Sequence, residues 1–92
     1  MSEFHGRLLI GGMTLGNLFG TLEQESPSQT CQGEILIDPS QNEYLESGRP
    51  YRLELEDGRA AQIVLTRVEC ILSQPKLRVA FNSLSPLMKA KG

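Results

Sequence analysis

Apolar and polar side chains alternate strictly over Tyr51-Arg52-Leu53-Glu54-Leu55-Glu56, and Asp57-Gly58 follows. Alternation with a period of two puts one kind of side chain on each face of a strand, and Asp-Gly suits a tight reversal. A hairpin is predicted. Its register follows from which side chains would face each other. A two-residue loop at Asp57-Gly58 would pair Leu53 with Gln62 and Tyr51 with Val64, setting a glutamine among core side chains. A three-residue loop, Glu56-Asp57-Gly58, pairs Leu53 with Ala61 and Tyr51 with Ile63 and leaves Arg52 opposite Gln62 on the wet face. It also places Gly58 in the left-handed position of a type I turn with a G1 bulge, so this loop is the expected one.

The returning strand points Ala61, Ile63 and Leu65 inward, but the next apolar set, Val68, Cys70 and Leu72, has the opposite parity. A β-bulge or a sharp bend near Thr66-Arg67 is therefore predicted. Ser73 to Lys76 reads as a turn, and Leu77, Val79 and Phe81 alternate with polar or small residues in a last strand. Upstream, strands are predicted near Arg7 to Ile10 and Leu15 to Leu22, with Gly11-Gly12 as the turn and Gly16 and Gly20 as bends or bulges. Polar Glu25 to Gln32 reads as a loop, and Gly33 to Asp38, with Ile35-Leu36-Ile37 at its centre, as a third strand.

Ser40-Gln41-Asn42-Glu43 fits a capping box, and Gly48 is placed as a helix stop, so one short helical turn is predicted over 41–47. Tyr44 or Leu45 from it should plug one end of the fold. Residues 83–92 have no consistent period and read as a flexible tail after a single domain, 1–82. About six short strands and one helical turn define an all-β fold: a small antiparallel barrel or strongly curved sheet, in the size range of SH3-like, OB-like and split-barrel domains.

Composition narrows the function classes. The chain has 92 residues and a formal charge of −2, which disfavours non-specific nucleic-acid binding through excess Lys and Arg but leaves a local basic patch open. The uncharged run from Leu8 to Leu22 is shorter than the ~20 residues of a membrane helix and is diluted by glycines, so no membrane span is expected. The N-terminus has an acid and no basic cluster ahead of its apolar run, unlike a secretory signal, which gives a cytoplasmic expectation. Cys31 and Cys70 lack zinc-site spacing and are read as reduced core thiols.

Candidate chemistry is sparse. Gly11 and Gly16 have the glycine spacing of a phosphate loop, but Asn17-Leu18 follows where Lys-Ser/Thr is needed. His5, the sole histidine, is expected in a frayed N-terminal segment, a poor base for nucleophilic catalysis. Glu54 and Glu56 share a strand face that looks solvated, without the cleft that would separate their pKa values. The chain also departs from the pattern of cyclic-dinucleotide-binding PilZ domains: Arg49 and Arg52 stand one residue too close, and Glu43 occupies the place of the required glycine after Asp38-Pro39-Ser40.

No catalytic residue, metal ligand or cofactor is assigned, and the protein is expected not to be an enzyme. The expectation is a non-catalytic β-barrel module that binds another protein or copies of itself, through exposed strand edges or the glycine-rich segment with Leu15, Leu18 and Phe19. The alternative is a nucleic-acid or anionic-ligand module using an arginine face of Arg49, Arg52, Arg67 and Arg78. Convergence of those arginines would favour the alternative, and interleaved carboxylates would count against it.

Overall fold

The structure is a computed structural model that describes residues 2–26, 29–70, 73 and 75–89. It has seven strands, β1 (Ser2–Ile10), β2 (Met13–Glu23), β3 (Gln32–Ile37), β4 (Pro50–Leu55), β5 (Arg59–Cys70), β6 (Leu77–Ser83) and β7 (Met88–Lys89), and a 3-10 turn over Pro39–Tyr44. The pairing order is β4-β1-β2-β3-β6-β5, all antiparallel, and β5 pairs back onto β4. Six strands thus close into a barrel, the first of the two all-β forms expected. Ala60 pairs with both Glu54 of β4 and Met88 of β7, so β7 lies on the β6 side of β5.

The inward side chains fill the barrel. Leu8, Ile35, Ile37, Leu53, Ile63, Val79 and Phe81 are its largest fully buried residues. Phe4 meets Phe81 edge to face at 6.3 Å and 82°, the arrangement that ring quadrupoles favour. Ser83 is the one buried polar residue among those described. Its hydroxyl accepts from the Cys31 N–H at 2.7 Å, while its own N–H donates to the Cys31 carbonyl at 2.8 Å.

The β4–β5 hairpin takes the expected register: Tyr51 opposes Ile63, Arg52 opposes Gln62 and Leu53 opposes Ala61. Gly58, at φ +93°, donates its N–H to the Leu55 carbonyl at 3.0 Å. The parity switch in β5 is a bulge at Thr66, between the pairs Leu65–Phe81 and Arg67–Ala80.

Beyond the bulge, however, Val68 is 41% exposed and Cys70 is an exposed free thiol. They have the parity of the buried face, opposite Val79 and Leu77, but stand where β5 runs past the closed part of the barrel. Cys70 is thus not a core thiol, whereas Cys31 is buried. Leu72 lies outside the described residues.

A second bulge shapes the N-terminal hairpin. Ile10 opposes Met13 across Gly11-Gly12, but Gly6 pairs with Leu18 and Leu8 with Leu15, so Gly16 and Asn17 together face Arg7. Asn17 adopts φ +55°, a left-handed conformation that asparagine tolerates better than most residues. The extra residue turns both Leu15 and Leu18 into the core, although their spacing in a regular strand would send them to opposite faces. Both are buried, so they are not exposed together with Phe19 as expected. Gly20 is no bend but a close approach of backbones, since a Cβ there would strike the Glu34 carbonyl and the Phe4 ring.

Three further expectations are corrected. The N-terminal segment is held as β1 between β2 and β4, and the His5 carbonyl accepts from the Glu56 N–H at 2.9 Å, so His5 is not on a frayed end. The helical turn begins at Pro39, whose fixed φ suits a first helical position. Its cap is made by Asp38, whose N–H donates to Gln41 Oε1 at 2.8 Å, ahead of the predicted Ser40. Leu45 packs on the core as the expected plug, while the Tyr44 and Glu43 side chains lie outside the described residues. Residues 83–89 are bound to the barrel through Ser83, buried Leu87 and β7; residues 90–92 of the expected tail lie outside the described residues.

Candidate functional site

With the inward positions committed to the core, functional chemistry must be sought on the outer face, where alternate residues of each strand form cross-strand rows. One row runs Glu3, Thr21, Glu34, Ala80 and Arg67 across β1, β2, β3, β6 and β5. The adjacent row, two residues along each strand, runs His5, Phe19, Leu36, Arg78 and Glu69. At its centre are two large apolar side chains facing out, Phe19 and Leu36, both half-buried. The His5 and Phe19 rings lie 5.1 Å apart at 60°.

These rows differ in height. Phe19 and Leu36 make a ridge, whereas Thr21 and Ala80 are short and border a groove of about 460 Å³ that reaches Glu34, Thr66 and Arg67. Ion pairs stitch the ridge to the groove. Arg67 Nε lies 2.6 Å from Glu69 Oε1, and Arg78 lies 3.8 Å from Glu34 and 4.0 Å from a second Glu69 oxygen. All four side chains are substantially exposed, so water screens these pairs and each is worth on the order of 0–1 kcal/mol.

The four arginines expected to form one face are divided. Arg67 and Arg78 share the face just described. Arg52 lies on the far side of the β5 bulge, where it and Arg7 clamp the two oxygens of Glu54 at 2.9 and 2.8 Å. Those two guanidiniums, hydrogen-bonded by Arg52 first and Arg7 second, hold the Glu54 carboxyl below its ordinary 4.5. Arg49 stands apart beside Glu46 at 3.9 Å. Every one of these guanidiniums has a carboxylate neighbour, so no bare basic surface is assembled from them.

Two other places bear on function. A larger groove, about 580 Å³, runs over Arg7, Thr14, Gly16, Asn17, Glu54 and Glu56. Leu55, which also borders it, belongs to the core, and the Arg7–Glu54 ion pair spans its side. The exposed apolar side chains Leu84 and Met88, 54% and 66% accessible, flank β5 near Gln62 and Ala60. Among the described residues no three His, Cys, Asp or Glu side chains gather as a metal-binding set, and no helix is long and apolar enough to cross a membrane.

Of the residues singled out from sequence, the structure therefore brings together Phe19, Arg67 and Arg78, and separates Leu15, Leu18, Arg49 and Arg52 from them. Leu36 was not among the candidates, though a signal existed: in the strand segment Ile35-Leu36-Ile37 one of three consecutive apolar residues must face outward. Comparison with protein-family models, with curated proteins and with solved structures finds no match. The functional reading rests on the residues themselves.

Proposed function

We propose that this chain is a non-catalytic binding module that receives a protein partner on the outer face of β2, β3, β6 and β5. The observation that carries the reading is the outward pair Phe19–Leu36 on the adjacent strands β2 and β3 of that face, beside a groove. An aromatic and an aliphatic side chain with arginines and carboxylates around them match the apolar centre and polar rim of protein interfaces. Nucleic acid fits less well. A phosphate approaching Arg67 or Arg78 would also meet Glu34 and Glu69, and the net charge of −2 repels a polyanion.

The test compares thiol accessibility inside cells and in dilute solution. In a Cys70→Ser background, Ala80→Cys places a thiol on the proposed face and Gln62→Cys places one beyond the bulge. An occupied face slows maleimide labelling of Ala80→Cys in cells roughly tenfold relative to the dilute purified protein, because labelling follows the free fraction. Gln62→Cys reacts equally in both settings. Equal rates at Ala80→Cys in both settings would overturn the proposal.

A further inference from the structure

We infer that the free edge of β5 over residues 67–70 pairs antiparallel with the same edge of a second copy of this chain, about a twofold axis through Val68. The contact goes beyond the outer face proposed above and does not depend on it. β4 accompanies β5 only as far as Val64, and the Gly48 N–H donates to the Leu65 carbonyl at 3.1 Å. β6 continues beside β5 to Cys70. Among the described residues, 67–70 therefore have a strand on one side only. Which groups point to the bare side follows from alternation along the ladder. The Ser83 N–H turns toward β3, where it meets the Cys31 carbonyl, and β6 pairs with β3 without a shift from Asn82 to Leu77. Ala80 and Arg78 thus turn their backbone groups to β5, onto Arg67 and Glu69. Val68 and Cys70 turn theirs to the bare edge.

Such an edge is a template for another strand. Residues 66–70 hold no proline, and their two charges are opposite in sign. The side chains say which strand fits. An antiparallel twofold through Val68 sets Val68 against its twin, and the two exchange both backbone hydrogen bonds. The two valines, each 41% exposed in the single chain, then cover one another. On the opposite face Arg67 meets the partner's Glu69, and Glu69 meets the partner's Arg67. Arg67 and Glu69 already stand 2.6 Å apart along the strand, so four charges alternate in sign around a square. Moving the axis by one residue would centre it on Arg67 or Glu69 and set like charges face to face, so the charges select the register. Cys70 comes opposite the partner's Thr66, one residue short of the Leu65 that Gly48 holds, and the pairing uses only the bare edge. Ala80 stays uncovered on the outer face, so the labelling result at Ala80→Cys is independent of this contact.

Disulfide trapping reads this register. In a Cys70→Ser background, Val68→Cys places two thiols on the axis with Cα atoms about 5.5 Å apart, within the span of a disulfide. In the unaltered chain Cys70 and its twin are four residues apart along the seam, about 13 Å, beyond that span. Under mild diamide oxidation Val68→Cys is expected to form covalent dimers at least about tenfold faster than the unaltered chain. Adding Arg67→Glu or Glu69→Arg to Val68→Cys sets like charges at both contacts and slows cross-linking roughly tenfold. An equimolar mixture of these two charge variants restores unlike charges at both contacts and recovers the fast rate as a heterodimer, a result that misfolding does not give. A Val68→Cys chain that cross-links no faster than the unaltered one, charge variants that keep the fast rate alone, or a mixture that stays slow would each overturn the inference.

Discussion

A methyl group added at Gly20 would meet the Glu34 carbonyl and the Phe4 ring, and one added at Gly33 would meet the Thr21 carbonyl. Backbone and a core ring have little room to retreat, so Gly20→Ala is expected to destabilise the barrel by about 1–3 kcal/mol. Gly16 has open space around its Cβ position, and Gly16→Ala should change stability by less than about 0.5 kcal/mol. Urea unfolding of the two variants checks the contrast. At Glu54, whose carboxyl is held low chiefly by the Arg52 hydrogen bond and next by Arg7, Arg52→Gln should move the titration midpoint upward in carbon-detected NMR. A depressed carboxylate stabilises the fold above its unfolded value, and that contribution fades as pH falls through the folded value. Asp57 behaves alike: burial pushes its carboxyl up, but hydrogen bonds from the Arg59 N–H and guanidinium outweigh this and hold it below 3.8. Both contributions are therefore present at neutral pH and lost only in acid.

At the scale of elements, the fold depends on turns and bulges as much as on strands. Gly58 sits at φ +93°, where a β-carbon crowds the backbone, so Gly58→Ala should cost about 1–2 kcal/mol in thermal or urea unfolding. Deleting Thr66 removes the extra residue of the β5 bulge and leaves Leu65–Phe81 and Arg67–Ala80 as consecutive pairs, so Arg67, Val68 and Glu69 keep their faces and only the bend is lost. The expected result is a folded barrel with the same inward face, destabilised by about 1–3 kcal/mol in urea unfolding. Both features were legible in the sequence, because alternation over Tyr51–Glu56 and its break after Leu65 are local signals. The Gly16–Asn17 bulge was legible only as a weak place. Which way it turned Leu15 and Leu18 depended on pairing with Gly6 and Leu8, far enough away that no local period records it. The site was hidden for the same reason. Phe19, Leu36, Arg67 and Arg78 come from four strands, and only the register joins them into two rows. The exposure of Cys70 depended on where the barrel closes, which alternation within β5 does not specify.

For the whole molecule, closure through β4 and β5 commits one face of every barrel strand to the core and leaves the outer rows to carry function. The opposed grooves and ion-pair lattices divide that surface in two. One side holds Arg7, Arg52 and Glu54, and the other holds the Phe19–Leu36 ridge with Arg67 and Arg78. The second side is the proposed binding surface. The most direct test installs a photoreactive side chain at Thr21, beside the ridge, and in a parallel variant at Gln62, and irradiates intact cells. The prediction is a discrete covalent protein adduct from position 21 and none from position 62. Adding Phe19→Asp to the position-21 variant should abolish that adduct while circular dichroism still reports a folded barrel. No adduct from position 21, or one that survives Phe19→Asp unchanged, would contradict the assignment of this face as the binding surface.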